Sequence, residues 1–253
     1  MTESERTESE APAGWTAGPV RGPRGRGRLF DAAVRAYLER HPEATVVALG
    51  EGLGTGFWRL DNGRLTWLTV VPQKTAAARR MLLPDGARRR TVARAVTDHA
   101  WLDAVPEPWR GVVVTAPGVL MRLPPPAVRA LLAACAERFP GGVLLFDALP
   151  GRATALARQA AAAGGRRTAP CWGLDRAQLP RVACLHPGIV AVREIGPVPA
   201  VPGGAAAGGL WSRLVWRGRR VPVLRAWAPL VCEVRFAAAG SPRVVPPGAL
   251  RQR

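Results

Sequence analysis

The segment Val46-Val47-Ala48-Leu49-Gly50-Glu51-Gly52-Leu53-Gly54-Thr55 carries the clearest chemistry in the sequence. Four apolar residues run into a glycine-rich turn, and a helical or turn segment follows through Arg59. A buried strand that ends in G-x-G brings backbone N–H groups close to a nucleotide-like ligand. Glycine is needed there because a Cβ would block the approach or forbid the required φ values. Many tight turns carry two glycines, so the motif must be judged with the residues around it.

Composition narrows the classes. A chain of 253 residues with 48% hydrophobic residues can bury one sizeable core, as a single domain. No apolar run reaches the length of a membrane span, and the start, Met1-Thr2-Glu3-Ser4-Glu5-Arg6, is acidic and polar rather than secretory. A cytoplasmic location is therefore expected. Cys135, Cys171, Cys184 and Cys232 lie far apart without a C-x-x-C pair, and the chain has 3 histidines. Neither a metal site nor a disulfide framework is expected; buried reduced thiols are. The net charge of +18 would favour phosphate polymers. Yet Lys74 is the only lysine, and the arginines accompany an excess of Ala, Gly, Pro and Val typical of GC-rich codons. Apart from Arg21–Arg28 and Arg88-Arg89-Arg90 they are scattered, with no aromatic-interleaved patch. Specific nucleic-acid binding is not expected, and an RNA-directed reading rests on charge alone.

The elements that must position the glycine turn follow from periodicity. Residues 1–27, acidic and then rich in Gly, Pro and Arg, read as a disordered tail, residues 28–240 as the domain, and 241–253 as a flexible C-terminal tail. Helices are predicted over residues 29–40, 75–83, 126–139 and 175–183, with a short helical turn at 101–105. Strands are predicted over 46–49, 65–71, 91–96, 111–115, 143–147, 189–195 and 230–236. Apolar strands separated by helices imply a mainly parallel sheet covered on both faces. In such sheets ligands bind beyond the carboxyl ends of the strands, where the glycine turn lies. The same rule makes Val71, Asp98, Thr115 to Gly118 and Asp147 site candidates.

Four segments, taken in order, carry a family resemblance. They are Leu49-Gly50-Glu51-Gly52-Leu53-Gly54-Thr55-Gly56-Phe57-Trp58-Arg59, Arg79-Arg80-Met81-Leu82-Leu83-Pro84, Thr115-Ala116-Pro117-Gly118-Val119-Leu120-Met121 and Arg138-Phe139-Pro140-Gly141-Gly142-Val143-Leu144-Leu145-Phe146-Asp147. Together they resemble the leucine carboxyl methyltransferase family, in particular its bacterial branch of the tetracenomycin-polyketide O-methyltransferase type. The resemblance spans roughly residues 29–236. It implies a class I, Rossmann-like α/β fold: a seven-stranded, mostly parallel sheet with an antiparallel last strand and helices on both faces. It also implies S-adenosylmethionine as cofactor and methyl transfer to a carboxylate or hydroxyl of a small-molecule acceptor, in secondary metabolism.

Carried onto this sequence, the resemblance puts Gly50, Glu51 and Gly52 along the methionine part of the cofactor. Thr55 and Arg59 support the loop or contact the carboxylate end. Asp98 stands beside the adenine, where a carboxylate can accept from the amino group; a helix cap before Trp101 is its other reading. His99 and Thr115 complete the cofactor-binding set. His99 is also the one candidate base, because it lies beside Asp98. Trp172 and Trp211 could line an aromatic pocket or pack in the core. No catalytic residue is assigned, and oligomeric state is not readable.

The sequence also departs from the family pattern. Val71 stands where an acidic residue would accept both ribose hydroxyls, and Pro117 where the family has glutamate. Gly54 and Gly56 replace an aspartate and a polar or basic residue. A methyltransferase fold without activity, serving as a binding partner, therefore stands as the alternative.

Overall fold

The computed structural model describes residues 26–163, 169–196 and 228–240. Its centre is β1, Thr45–Leu49, in which every residue is buried. That continuous burial is what the unbroken Val-Val-Ala-Leu run requires: a strand covered on both faces has no polar side to alternate. The same holds for β4, Val112–Ala116, and β5, Val143–Ala148. With β2 (Thr66–Val71), β3 (Arg89–Ala93), β6 (Ile189–Glu194) and β7 (Leu230–Phe236) they form a seven-stranded sheet, in the order β3-β2-β1-β4-β5-β7-β6. The pairings from β3 through β5 are parallel. Strand β7 runs antiparallel to both β5 and β6. The mostly parallel sheet with a reversed last strand is thus as expected.

Two apolar clusters cover the sheet. On one face, α1 (Arg26–Leu38) buries Leu29, Phe30, Val34, Tyr37 and Leu38 beside Phe57 and Leu60 of α2 (Gly56–Leu60), against Val46, Trp67, Val113 and Leu145. On the other, α4 (Pro125–Arg138) buries Val128, Leu131, Leu132 and Cys135 against Val114, Leu144, Phe146 and Val234. Trp101 packs against Phe139 there, ring centres 6.2 Å apart. Helices α3 (Gln73–Leu82), α5 (Gly151–Ala163) and α6 (Leu179–Ala183) complete the crossovers.

Several expectations need correction. Helix α1 begins at Arg26, so the predicted tail boundary at residue 27 falls inside it; residues 1–25 and 241–253 lie outside the described residues, as does Trp211. Helix α5 was not predicted. Strand β3 begins two residues and ends three residues earlier than expected: the Arg94 N–H makes the last bond to β2, at the Val71 carbonyl, and the chain then turns, with the Asp98 N–H donating to the Ala95 carbonyl. The predicted helix at 175–183 is a 3-10 turn, Arg176–Gln178, followed by the short α6. Asp175 and Gln178 form a reciprocal capping box around that turn. Cys135 and Cys232 are buried as expected, with burial pushing the Cys232 thiol up to about 12, but Cys171 and Cys184 are exposed. Among the described residues, no helix is long and apolar enough to cross a membrane.

Candidate functional site

At the carboxyl end of β1 the chain turns through Gly50 at φ +65° and Gly52 at φ +62°, backbone that glycine alone adopts freely. The Gly50 N–H donates to the Val70 carbonyl at 2.8 Å, which extends the sheet by one bond before the turn. A Cβ on Gly50 would stand 2.8 Å from Cγ2 of Val119, so the turn also packs against the loop after β4. Beside Gly52 there is open space.

Glu51 points under this turn. Its Oε1 accepts from the Gly56 N–H at 2.8 Å, and its Oε2 from Trp67 Nε1 at 3.1 Å and Thr69 Oγ1 at 3.3 Å. The Arg79 guanidinium lies 3.5 Å from the same oxygen. Burial pushes the Glu51 carboxyl above the ordinary carboxylate range, while Arg79 and the three hydrogen bonds pull it back. Arg79 itself is only 4% exposed, and its Nη1 donates to the carbonyls of Gly52 at 2.6 Å and Gly54 at 3.0 Å.

Thr55 and Arg59 are brought together, but toward α1. Arg59 Nη1 donates to Thr55 Oγ1 at 3.3 Å. Its Nε and Nη2 form a forked pair with the Asp31 carboxylate at 3.1 and 3.2 Å. This guanidinium fastens α1 to α2.

Asp98 caps the 3-10 turn His99–Ala104 by accepting from the Ala100 N–H at 3.2 Å, and pairs with Arg94 at 2.9 Å. The N–H and then Arg94 hold its carboxyl below the usual range. Its side chain stays partly exposed beyond the end of β3, with His99 next in the chain. Thr115 is buried within β4, level with Ala48 of β1 and Leu145 of β5. Val71 is buried at the end of β2, level with Ala93, and brings no carboxylate to that edge.

Just past β4, Gly118 at φ +70° donates its N–H to Oδ1 of Asp147, a fully buried residue near the end of β5. The other Asp147 oxygen pairs with Arg26, whose side chain is half-exposed. The carboxyl edge thus gathers Gly50 to Gly52, Gly118, Asp147 and Arg26. Arg26 carries no signal in the sequence, because the Gly/Pro/Arg tract masks the start of α1. Arg79 stands in one of the resembling segments without an assigned role, and Asp31 has no signal in the sequence, since both lie within helices rather than in a turn or at a strand end. Among the described residues no cluster of His, Cys, Asp and Glu could hold a metal ion. A separate apolar groove of about 200 Å³ lies between α4 and residues 172–185. Trp172 borders it while packing on Phe146, ring centres 5.8 Å apart, as the core reading of that indole expects.

This strand order, with β7 reversed and a glycine turn ending β1, defines the class I methyltransferase fold. Solved structures agree at the level of fold. A candidate methyltransferase from Thermobifida fusca superposes with a TM-score of 0.59 at 16% identity, over 83% of this chain and 80% of that one. A DUF574 family protein from Streptomyces avermitilis gives 0.55 at 16% identity, over 82% and 81%. In sequence, the chain is similar to TcmP, the tetracenomycin polyketide synthesis O-methyltransferase of Streptomyces glaucescens. The two are 30% identical over 125 residues, which make up 49% of this chain and 46% of TcmP. The chain therefore spans about half the length of that relative. No family model matches the sequence.

The edge fits S-adenosylmethionine in outline. The turn has the backbone conformation for close approach, space lies open at Gly52, and Arg26 and Asp98 offer a cation and an acceptor. The apolar end of β2 at Val71 does not offer the ribose hydroxyls a partner.

Proposed function

We propose that the chain is an S-adenosylmethionine-dependent O-methyltransferase acting on a small acid or phenol in secondary metabolism. The observation that carries this reading is the positive-φ glycine turn at the carboxyl end of β1, in a sheet of class I order. The similarity to a polyketide O-methyltransferase supports a small-molecule acceptor.

In this reading Gly50 and Gly52 let the backbone approach the methionine part of the cofactor. Arg26, half-exposed beside Asp147, holds its carboxylate end in place of Thr55 and Arg59, to which the resemblance gave that end or the support of the loop; the Arg59 guanidinium is engaged by Asp31 and Thr55. Asp98 accepts from the adenine amino group. When bound, the cofactor supplies a sulfonium methyl for transfer to an oxygen nucleophile. The protein's share of that chemistry is positioning. An acceptor carboxylate is already ionised at neutral pH and needs no base. A phenol would use His99, partly buried next to Asp98.

Val71 favours a second reading, a methyltransferase fold that binds a partner without turnover. Lacking a carboxylate contact to the ribose costs about 1–3 kcal/mol, roughly 10- to 100-fold in affinity. Titration calorimetry with S-adenosylmethionine and S-adenosylhomocysteine decides between them. Micromolar binding supports the enzyme. No heat at millimolar ligand, from protein that melts cooperatively, overturns it in favour of the second reading.

A further inference from the structure

Gly54 and Gly56 depart from the family pattern, and Glu51 accounts for both. A Cβ on Gly54 would stand 2.5 Å from Cγ of Glu51. One on Gly56 would stand 2.6 Å from Oε1 of Glu51 and from the Trp67 ring. The inward carboxylate fills the room those side chains would need. The loop is therefore built around Glu51, not eroded.

Arg79 completes the arrangement. It grips two alternate carbonyls of the turn, Gly52 and Gly54, and the carboxylate of Glu51, the residue just before them. Glu51 in turn reaches forward to the Gly56 N–H and down to Trp67 and Thr69 of β2. A guanidinium 4% exposed is costly to desolvate, and these carbonyls and the carboxylate offset that cost. Because trans peptides direct C=O and the following N–H oppositely, drawing those carbonyls to Arg79 turns the N–H groups of Leu53 and Thr55 away from it.

We propose that Arg79, acting with Glu51, is the positioning residue that sets the glycine turn for the methionine part of the cofactor. The assignment rests on the function proposed above. Arg79 does not touch the ligand; it fixes the backbone that does. Its effect is therefore confined to ligands that carry the amino-acid end.

The test compares S-adenosylhomocysteine with 5′-methylthioadenosine, which lacks that end, by calorimetry on the full chain. The variants are Arg79→Lys, which keeps the charge but loses the fork, and Gly54→Ala, which pushes Glu51 aside. Amide exchange of residues 50–56 is measured without ligand, and thermal melting confirms the fold; if Arg79→Lys does not fold, Gly54→Ala carries the test alone. The expected result is homocysteine-ligand affinity weakened at least about tenfold, methylthioadenosine affinity changed less than about twofold, and faster exchange across the turn. Equal weakening of both ligands, or unchanged S-adenosylhomocysteine binding by a folded variant, overturns the proposal. If the unmodified chain binds neither ligand, the proposed function fails by itself. Exchange then still reads how Arg79 and Glu51 hold the turn, and unchanged exchange in the variants overturns that role.

Discussion

Arginine does most of the joining around the carboxyl edge. Arg59 ties α2 to Asp31 of α1, Arg79 ties α3 to the glycine turn, and Arg26 ties α1 to Asp147 of β5. A planar fork with five donors on three nitrogens can reach two or three spread acceptors in a fixed geometry, whereas lysine's three donors share one nitrogen. Asp31→Ala would leave the Arg59 fork half-satisfied; it should cost about 1–3 kcal/mol in urea unfolding. Glu51 gives a pH signature. Its carboxyl is raised in the folded chain, so the native state holds that proton more tightly than the unfolded one. The stability it contributes is full below the ordinary value of 4.5 and is lost as pH rises through the higher folded value. The unfolding free energy of the unmodified protein, relative to Glu51→Gln, should therefore fall as pH rises from 4.5 toward neutrality. An unchanged difference would show that Arg79 offsets burial completely. The sequence identified the loop that holds Glu51, Thr55 and Arg59, but not the direction each side chain takes. Direction is decided by Trp67, Thr69 and Asp31 on other elements, and no spacing within the loop encodes them.

At the scale of elements, legibility follows burial. Strands β1, β4 and β5 are buried throughout, so their sequences are short unbroken apolar runs. Helix α4 shows its buried stripe equally plainly. Helix α5 does not, because it is rich in alanine and buries only Thr154 and Ala161, which leaves little periodic signal. Strand β3 was placed late because its arginines look like surface loop, whereas an edge strand paired on one side tolerates them. The same contrast predicts stabilities. Leu132→Ala in α4, fully buried, should cost about 2–5 kcal/mol by denaturant unfolding. Leu156→Ala in α5, 57% exposed, should stay within about 0.5 kcal/mol of the unmodified protein.

For the whole molecule, the net charge of +18 already subtracts every carboxylate, so ion pairing disperses the positive charge over the surface without reducing it. Arg64, Arg88, Arg94, Arg110 and Arg138 are each paired with a carboxylate. Binding to RNA in a shift assay should be weak, indifferent to sequence, and gone between roughly 50 and 200 mM salt. A complex that survives the higher salt would favour the RNA-directed reading instead. The overall architecture was legible because apolar strands alternating with helices leave few ways to close a sheet; the resemblance added the antiparallel last strand, and its place between β5 and β6 came only from the structure. That placement has a consequence for biosynthesis. As the chain leaves the ribosome, β5 presents an unpaired edge until residues 230–236 exist, and β6 has no partner at all until the same moment. The nascent protein therefore carries an open, apolar sheet margin from the completion of β5 until β7 is made. Chaperone demand and inclusion-body formation should concentrate in that interval.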